Sequence, residues 1–401
     1  MNAQRAVAPK TRVRRVRTIV LRVALALLIG VLLLGLTLTI GVATGALGVH
    51  FPALTGRFAV GRVNVDLVDT SRTEIFGNDS RAHRAIVVTI YYPATPPANA
   101  SPAPYVEGKM ADALAGRLHL PGMAVALIHS HAYNHPPVAA GTFPVVEFLP
   151  GIGTPPSEYT SLVEDLASRG YVVAMIYPTY SVPVTVFSNG RVASLSDAGF
   201  RSENEPPGTS AAQTDHDRNV IAAVWVADAR FTLDQLARLN RTDALLRGHL
   251  DLQRVGIFGH SFGGATAAEV LRIDPRFKAG INMDGTAFSM TDGRQISRPL
   301  LWMASDYSQV TDSQLQQIGM SRAEFDAKIQ QKVAERDAFL RTVPRATLIT
   351  LPGSTHSTYI TDEALIGALV PGLTDPLATI GGTRALKIIT TDVTAFFGGT
   401  L

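Results

Sequence analysis

A chain of 401 residues, 46% hydrophobic and 17% charged, is long enough for one large α/β domain or two ordinary ones, and its composition excludes wholesale disorder. The absence of cysteine excludes disulfides, thiol nucleophiles and cysteine-ligated metals. The formal net charge of +3 is no sign of a nucleic-acid partner: Arg5, Lys10, Arg12, Arg14, Arg15, Arg17 and Arg22 crowd into residues 1–22 without an acid, so the remainder is slightly acidic.

The basic tail 1–22 runs into VALALLIGVLLLGLTLTIGVATGALGV, residues 23–49, which carries no charge. Roughly 20 helical residues cross a bilayer, whereas the apolar stretch of a secretory signal is roughly 7–15 residues long. The segment is therefore expected to be a transmembrane anchor. A long signal sequence is the alternative, since Gly41, Ala43, Thr44 and Ala46 would permit cleavage. Either reading puts the arginines in the cytoplasm and residues 50–401 outside it, membrane-anchored or, after cleavage, secreted.

Residues 50–84 read as a linker and an irregular piece. Beyond them, short apolar runs bounded by Gly and Pro predict buried strands at 85–92, 123–128, 143–149, 171–177, 255–258, 279–283, 300–304 and 346–351. Helical spacing of apolar residues marks 157–168, closed by Gly170, and then 215–240, 321–341 and 387–397. The 321–341 segment is charged and amphipathic, a candidate lid whose Phe and Leu positions face the core. Segments 93–104 and 188–214 read as loops. Strands alternating with helices imply a mainly parallel sheet with helices on both faces.

The chemistry centres on VGIFGHSFGGATAAEV, residues 255–270. Gly259-His260-Ser261-Phe262-Gly263 fits G-x-S-x-G between a predicted strand and a predicted helix, the setting of a nucleophile elbow. A helix-capping serine in a tight turn is the plainer reading. Side chains at 259 or 263 would crowd the strand and helix, and a helix N-terminus beside Ser261 favours developing negative charge. Serine needs a base and an orienting acid. The only histidine downstream is His356, in LPGSTHSTY after the 346–351 run. Two acids end predicted strands, Asp284 and Asp306, and spacing does not choose between them. An oxyanion hole would take backbone N–H groups from Phe262 and from Pro150-Gly151-Ile152-Gly153, where Ile152 is the candidate because proline has no N–H.

GHSFGGAT, FKAGINMDG and GSTH, with FPVVEFLPGIGTPPSEYTSLVEDLASRGYVVAMIYP and VVTIYYPA, resemble the platelet-activating factor acetylhydrolase-like family of α/β-hydrolase serine esterases over roughly residues 57–400. The chain departs at Pro150, where that family usually has histidine. The resemblance implies an α/β-hydrolase fold with no metal or cofactor. It also implies Asp284 as the triad acid, with Asp306 as runner-up, and activity on short-chain or lipid esters such as 1-alkyl-2-acetylglycerophosphocholine. A polyester or cutinase-like hydrolase is the rival enzyme reading, and a non-catalytic binding protein on a hydrolase frame is the rival of another class. His129, His131 and His135, in HSHAYNH, suit a loop better than a metal site, because no nearby carboxylate completes a ligand set. Trp302 and Tyr359 suit either an acyl pocket or the core.

Overall fold

In a computed structural model, the described residues are 49–119, 127–206, 208–288, 294–367 and 375–401, with positions 22, 28–30 and 125. His50–Leu401 forms one compact unit. The expected membrane segment, apart from those isolated positions and Val49, lies outside the described residues, as do residues 123, 124 and 126 of the expected 123–128 strand, of which only Ile128 is observed in a strand, Ile128–His129. Among the described residues, no helix is long and apolar enough to cross a membrane.

The unit is built on a nine-stranded sheet. In chain order its strands are β1 (Ala59–Thr73), β2 (His83–Ala94), β3 (Tyr133–Asn134), β4 (Phe143–Leu149) and β5 (Val172–Tyr177). They continue with β6 (Leu250–His260), β7 (Phe277–Met283), β8 (Leu300–Ser305) and β9 (Ala346–Leu351). The spatial order is β9-β8-β7-β6-β4-β5-β2-β1-β3. All neighbours from β9 to β5 are parallel, while β2 runs antiparallel to both β5 and β1. Five helices matter for the site: α1 (Thr160–Ser168), α2 (Ala211–Thr242), α3 (Phe262–Ile273), α4 (Arg322–Leu340) and α5 (Gly382–Thr400).

Alternation along the central strands assigns the helices to faces. Val255 and Ile257 of β6 join the core formed with α2 and α3, and Gly280, which pairs with Ile257, faces Leu271 of α3. The intervening Gly256 and Phe258 look the other way, towards Phe397 of α5. Helices thus cover both faces, as the alternating sequence pattern predicts. Both 143–149, buried from Val145 to Leu149, and the edge strand 346–351, where only Leu351 is buried, are observed at their predicted limits.

Three sequence expectations need correction. Residues 59–73 are not irregular but form the long strand β1, paired with β2 in the register Val65↔Val88. It is half-solvated, so polar residues interrupt its apolar period. The predicted 255–258 strand extends back to Leu250, across a register shift between Asp251 and Val255 where the exposed Gln253 and Arg254 hide the pattern. The 188–214 stretch is not all loop, since Val192–Ser194 pairs with Val184–Val186 and Asp197–Phe200 makes a short helix.

Candidate active site

β6 ends at His260, and α3 begins at Phe262, leaving Ser261 alone to make the turn. Its backbone sits at φ 54°, ψ −122°, a conformation that costs a non-glycine residue of order 1–3 kcal/mol and persists where the surroundings impose it. Here they do. The Ser261 N–H donates to the Met283 carbonyl at the end of β7 at 2.9 Å. A Cβ on Gly259 would collide with the Gly263 backbone, and one on Gly263 with the carbonyls of Leu149 and Pro150. The two glycines flanking the serine are thus a steric requirement of the turn.

Asp284 follows β7 in the same left-handed region, at φ 55°. Its N–H donates to the Met303 carbonyl of β8 at 2.8 Å, and the next residue, Gly285, donates its N–H to the Asn282 Oδ1 at 2.7 Å. The turn directs the carboxylate along the carboxyl ends of the strands. His356 opens a short 3-10 turn, His356–Tyr359, after β9.

These three side chains meet. The Ser261 hydroxyl lies 2.9 Å from His356 Nε2, and His356 Nδ1 lies 2.7 Å from Asp284 Oδ2. A carboxylate only accepts, so Nδ1 carries the proton and Nε2 is left to accept from the serine hydroxyl. Asp284 is 2% exposed, whereas the His356 side chain is 43% exposed, so the imidazole is open to a ligand while the carboxylate beside it is buried. Burial opposes ionisation of Asp284, but the hydrogen bond from His356 and the positive charge of Lys332 outweigh it and hold the carboxyl far below the ordinary carboxylate range. Asp306, the other strand-end acid, does not touch the imidazole: it accepts from the N–H groups of Ser308 and Gly353.

Of the two expected oxyanion donors, Ile152 sits in the loop after β4 and Phe262 at the first position of α3. Gly151 donates its N–H to the Tyr159 hydroxyl, and Gly153 donates to the Ser181 carbonyl. Among the described residues, the N–H groups of Ile152 and Phe262 have no such acceptor. The Phe262 ring is wedged between Trp225 and Phe288, which steadies the start of α3.

Four further residues complete the surroundings, and sequence reasoning missed their roles. The Tyr307 hydroxyl accepts the backbone N–H of His356 at 3.1 Å. His260 donates from Nε2 to the His356 carbonyl at 3.1 Å and accepts at Nδ1 from the Tyr159 hydroxyl at 2.8 Å. Burial, and then the neighbouring His356, push His260 well below its ordinary value, so it is neutral. The chain Gly151, Tyr159, His260 and His356 therefore ties the loop after β4 to the loop that carries His356. Lys332 of α4 donates to Asp284 Oδ2 at 2.7 Å. His260 could have been suspected from its place beside Ser261. Lys332 and Tyr307 left no signal, because a lysine in a charged helix and a tyrosine after a strand are ordinary.

The remaining sequence candidates fall away from the relay. Phe325 and Phe339 of α4 face apolar clusters, Trp302 packs on Phe339, and Tyr359 is fully buried over His260. His131 Nε2 meets backbone carbonyls, and His129 stacks on His50. Among the described residues, no three His, Cys, Asp or Glu side chains are grouped to hold a metal ion. A cavity of about 460 Å³ lies between α4 and the sheet, walled by Trp302, Phe325, Ile329 and Val333 and reaching Asp284.

Residues 235–399 match the family model described as platelet-activating factor acetylhydrolase, isoform II. A platelet-activating factor acetylhydrolase of Cavia porcellus is 28% identical over 190 residues, 44% of this chain and 43% of that protein, so the alignment spans less than half the relative's length. A protein of Arthroderma benhamiae described as a probable 1-alkyl-2-acetylglycerophosphocholine esterase is 24% identical over 65% of this chain and 67% of its own length. Among solved structures, a ferulic acid esterase from Streptomyces cinnamoneus superposes with a TM-score of 0.70 and 27% identity, over 88% of this chain and 93% of that one. In sequence the chain resembles the platelet-activating factor acetylhydrolase family, and in fold it resembles an α/β-hydrolase esterase.

Proposed function

We propose that the protein is a serine carboxylic-ester hydrolase working through an acyl-enzyme. The reading is carried by one observation: a backbone-strained serine at a strand-to-helix turn, 2.9 Å from an imidazole that is itself 2.7 Å from a buried carboxylate. Ser261 Oγ attacks the ester carbonyl as His356 Nε2 takes its proton. Asp284 keeps the imidazole in the productive tautomer and stabilises its charged form. The N–H groups of Ile152 and Phe262 receive the oxyanion, with the α3 N-terminus adding favourable potential. His356 returns the proton to the leaving alcohol. A water, deprotonated by His356, then attacks the acyl carbon and restores Ser261.

The substrate class is short-chain or lipid esters, supported by the likeness to acetylhydrolases of ether phospholipids. The solved relative acting on ferulic acid esters favours a second reading, in which an aromatic acyl group enters the same site. The uncharged stretch 23–49 behind a basic tail supports a membrane anchor with residues 50–401 held on the extracytoplasmic side, and α4 is proposed as a lid over the acid side of the site. A fluorophosphonate probe should label Ser261 in the wild type and nothing in Ser261→Ala. Full-length protein should also hydrolyse p-nitrophenyl acetate, with a loss of at least about 10³-fold in Ser261→Ala. Equal turnover by the two proteins defeats the proposal. Parallel assays on acetylated ether phospholipid and methyl ferulate divide the two acyl readings.

A further inference from the structure

We propose that Lys332, midway along α4, is a positioning residue of this hydrolase: its ammonium holds the Asp284 carboxylate with Oδ2 towards His356, so that the imidazole stays aligned with the serine hydroxyl. The inference rests on the serine-hydrolase reading and adds to it a residue outside the triad.

The geometry is specific. Asp284 Oδ2 receives two donors, His356 Nδ1 and Lys332 Nζ, each at 2.7 Å, while Oδ1 takes the Ser305 N–H at 3.0 Å. A carboxylate this buried would neutralise itself without a compensating charge. Lys332 is the cation that meets it among the described residues, with its own side chain one-third exposed. The ammonium also stands 5.9 Å from the centre of the Tyr307 ring, whose hydroxyl holds the backbone of His356. One lysine on the helix therefore touches both the acid and the tyrosine that steadies the base.

The consequence follows from the shared oxygen. Two donors on one acceptor stand roughly 5 Å apart or less. The ammonium and the Nδ1–H thus pin Oδ2 from two sides, and without the ammonium the carboxylate is held by His356 and the Ser305 N–H. The other titratable groups facing the imidazole do not duplicate this effect. His260, with its ring 4.6 Å away, is held neutral by burial. Tyr307 offers a hydroxyl that burial keeps protonated. Glu203 is raised by burial and feels His356 only through space. Around Lys332 itself, the same cavity wall carries Asp306, Asp326, Glu335 and the cations Arg322 and Arg336. Arg336 is paired with Asp337, and Arg322 with Asp312 and Asp326.

The test compares full-length wild type with Lys332→Met, which keeps length without charge, and Lys332→Arg, which restores the charge. Two readouts are taken near pH 8: kcat and KM for p-nitrophenyl acetate, and the NMR signal of the His356 Nδ1 proton on histidine-labelled protein. The NMR signal is assigned by its loss in His356→Gln. In Lys332→Met kcat should fall roughly tenfold with KM within about twofold, and the Nδ1 proton signal should leave its wild-type position; Lys332→Arg should restore both. If the methionine variant does not fold, Lys332→Gln, which keeps a hydrogen bond without the charge, takes its place with the same expectation. Wild-type and uncharged-variant kcat values and proton signals that coincide overturn the proposal. A shifted NMR signal without Ser261-dependent turnover supports the role of Lys332 while overturning the hydrolase reading, so the two failures stay apart.

Discussion

The sharpest perturbation is Asp284→Asn. Three donors converge on the Asp284 carboxylate: the His356 Nδ1–H and Lys332 on one oxygen and the Ser305 N–H on the other. An amide has one accepting oxygen and one donating NH2, so it cannot satisfy both sides. If the oxygen stays with Ser305, the NH2 faces the imidazole and forces the other tautomer. Nε2 then bears a hydrogen that points at Ser261 Oγ and takes no proton from it. The charge is lost as well. A unit charge about 4 Å from the imidazolium, at an effective dielectric of about 20, is worth about 4 kcal/mol, on the order of 10³ in rate. We expect kcat for p-nitrophenyl acetate near pH 8 to fall roughly 10³–10⁴-fold, with KM nearly unchanged because Asp284 is buried on the side of the imidazole away from Ser261. Asp306→Asn disturbs only hydrogen bonds from Ser308 and Gly353, and should cost less than about tenfold. An Asp284→Asn enzyme within tenfold of wild type, or a larger loss at Asp306, would refute the reasoning.

Two stability predictions test the frame around the site. Gly263→Ala drives a methyl into the carbonyls of Leu149 and Pro150, and urea denaturation should register a loss of about 3 kcal/mol together with loss of activity; an unchanged midpoint refutes the steric argument. Glu147, in the middle of β4, is fully buried, and among the described residues neither of its carboxylate oxygens has a partner. Burial raises it well above the ordinary carboxylate range, so the fold holds it neutral. Its contribution is complete below the unfolded value of about 4.3 and is lost as pH rises through the folded value. Glu147→Gln should therefore gain Tm relative to wild type as pH rises above about 5, and parallel Tm curves for the two proteins would contradict this.

The legible parts of the sequence were those whose neighbours are uniform. A strand buried on both faces meets mostly apolar groups, so VVEFL, VVAMIY and INM announce themselves despite Glu147 and Asn282; β1 meets solvent on one side, and its Arg62, Asn64 and Asp66 dilute the signal. The elbow was legible because the crowding that demands Gly259 and Gly263 is local, arising from the turn itself and the strand beside it. His356 was legible by elimination, as the last histidine of the chain.

Asp284 and Asp306 show the limit. Each ends a strand, and the two strands are adjacent, so no spacing rule along the chain separates them. The left-handed turn at Asp284, the anchoring of its backbone on Met303 and the placement of the β9 loop decide which carboxylate meets the imidazole. Lys332 is a stronger case, because it lies 48 residues from Asp284 in a helix rich in charge, and nothing local distinguishes it from its neighbours. Local sterics and hydrophobic periodicity act over a few residues, and so the chain by itself determined most of the central sheet strands, the elbow and the candidate histidine. Electrostatic partners meet only when distant segments pack, and for that reason the tertiary structure alone decided which acid faces the histidine and which cation faces the acid.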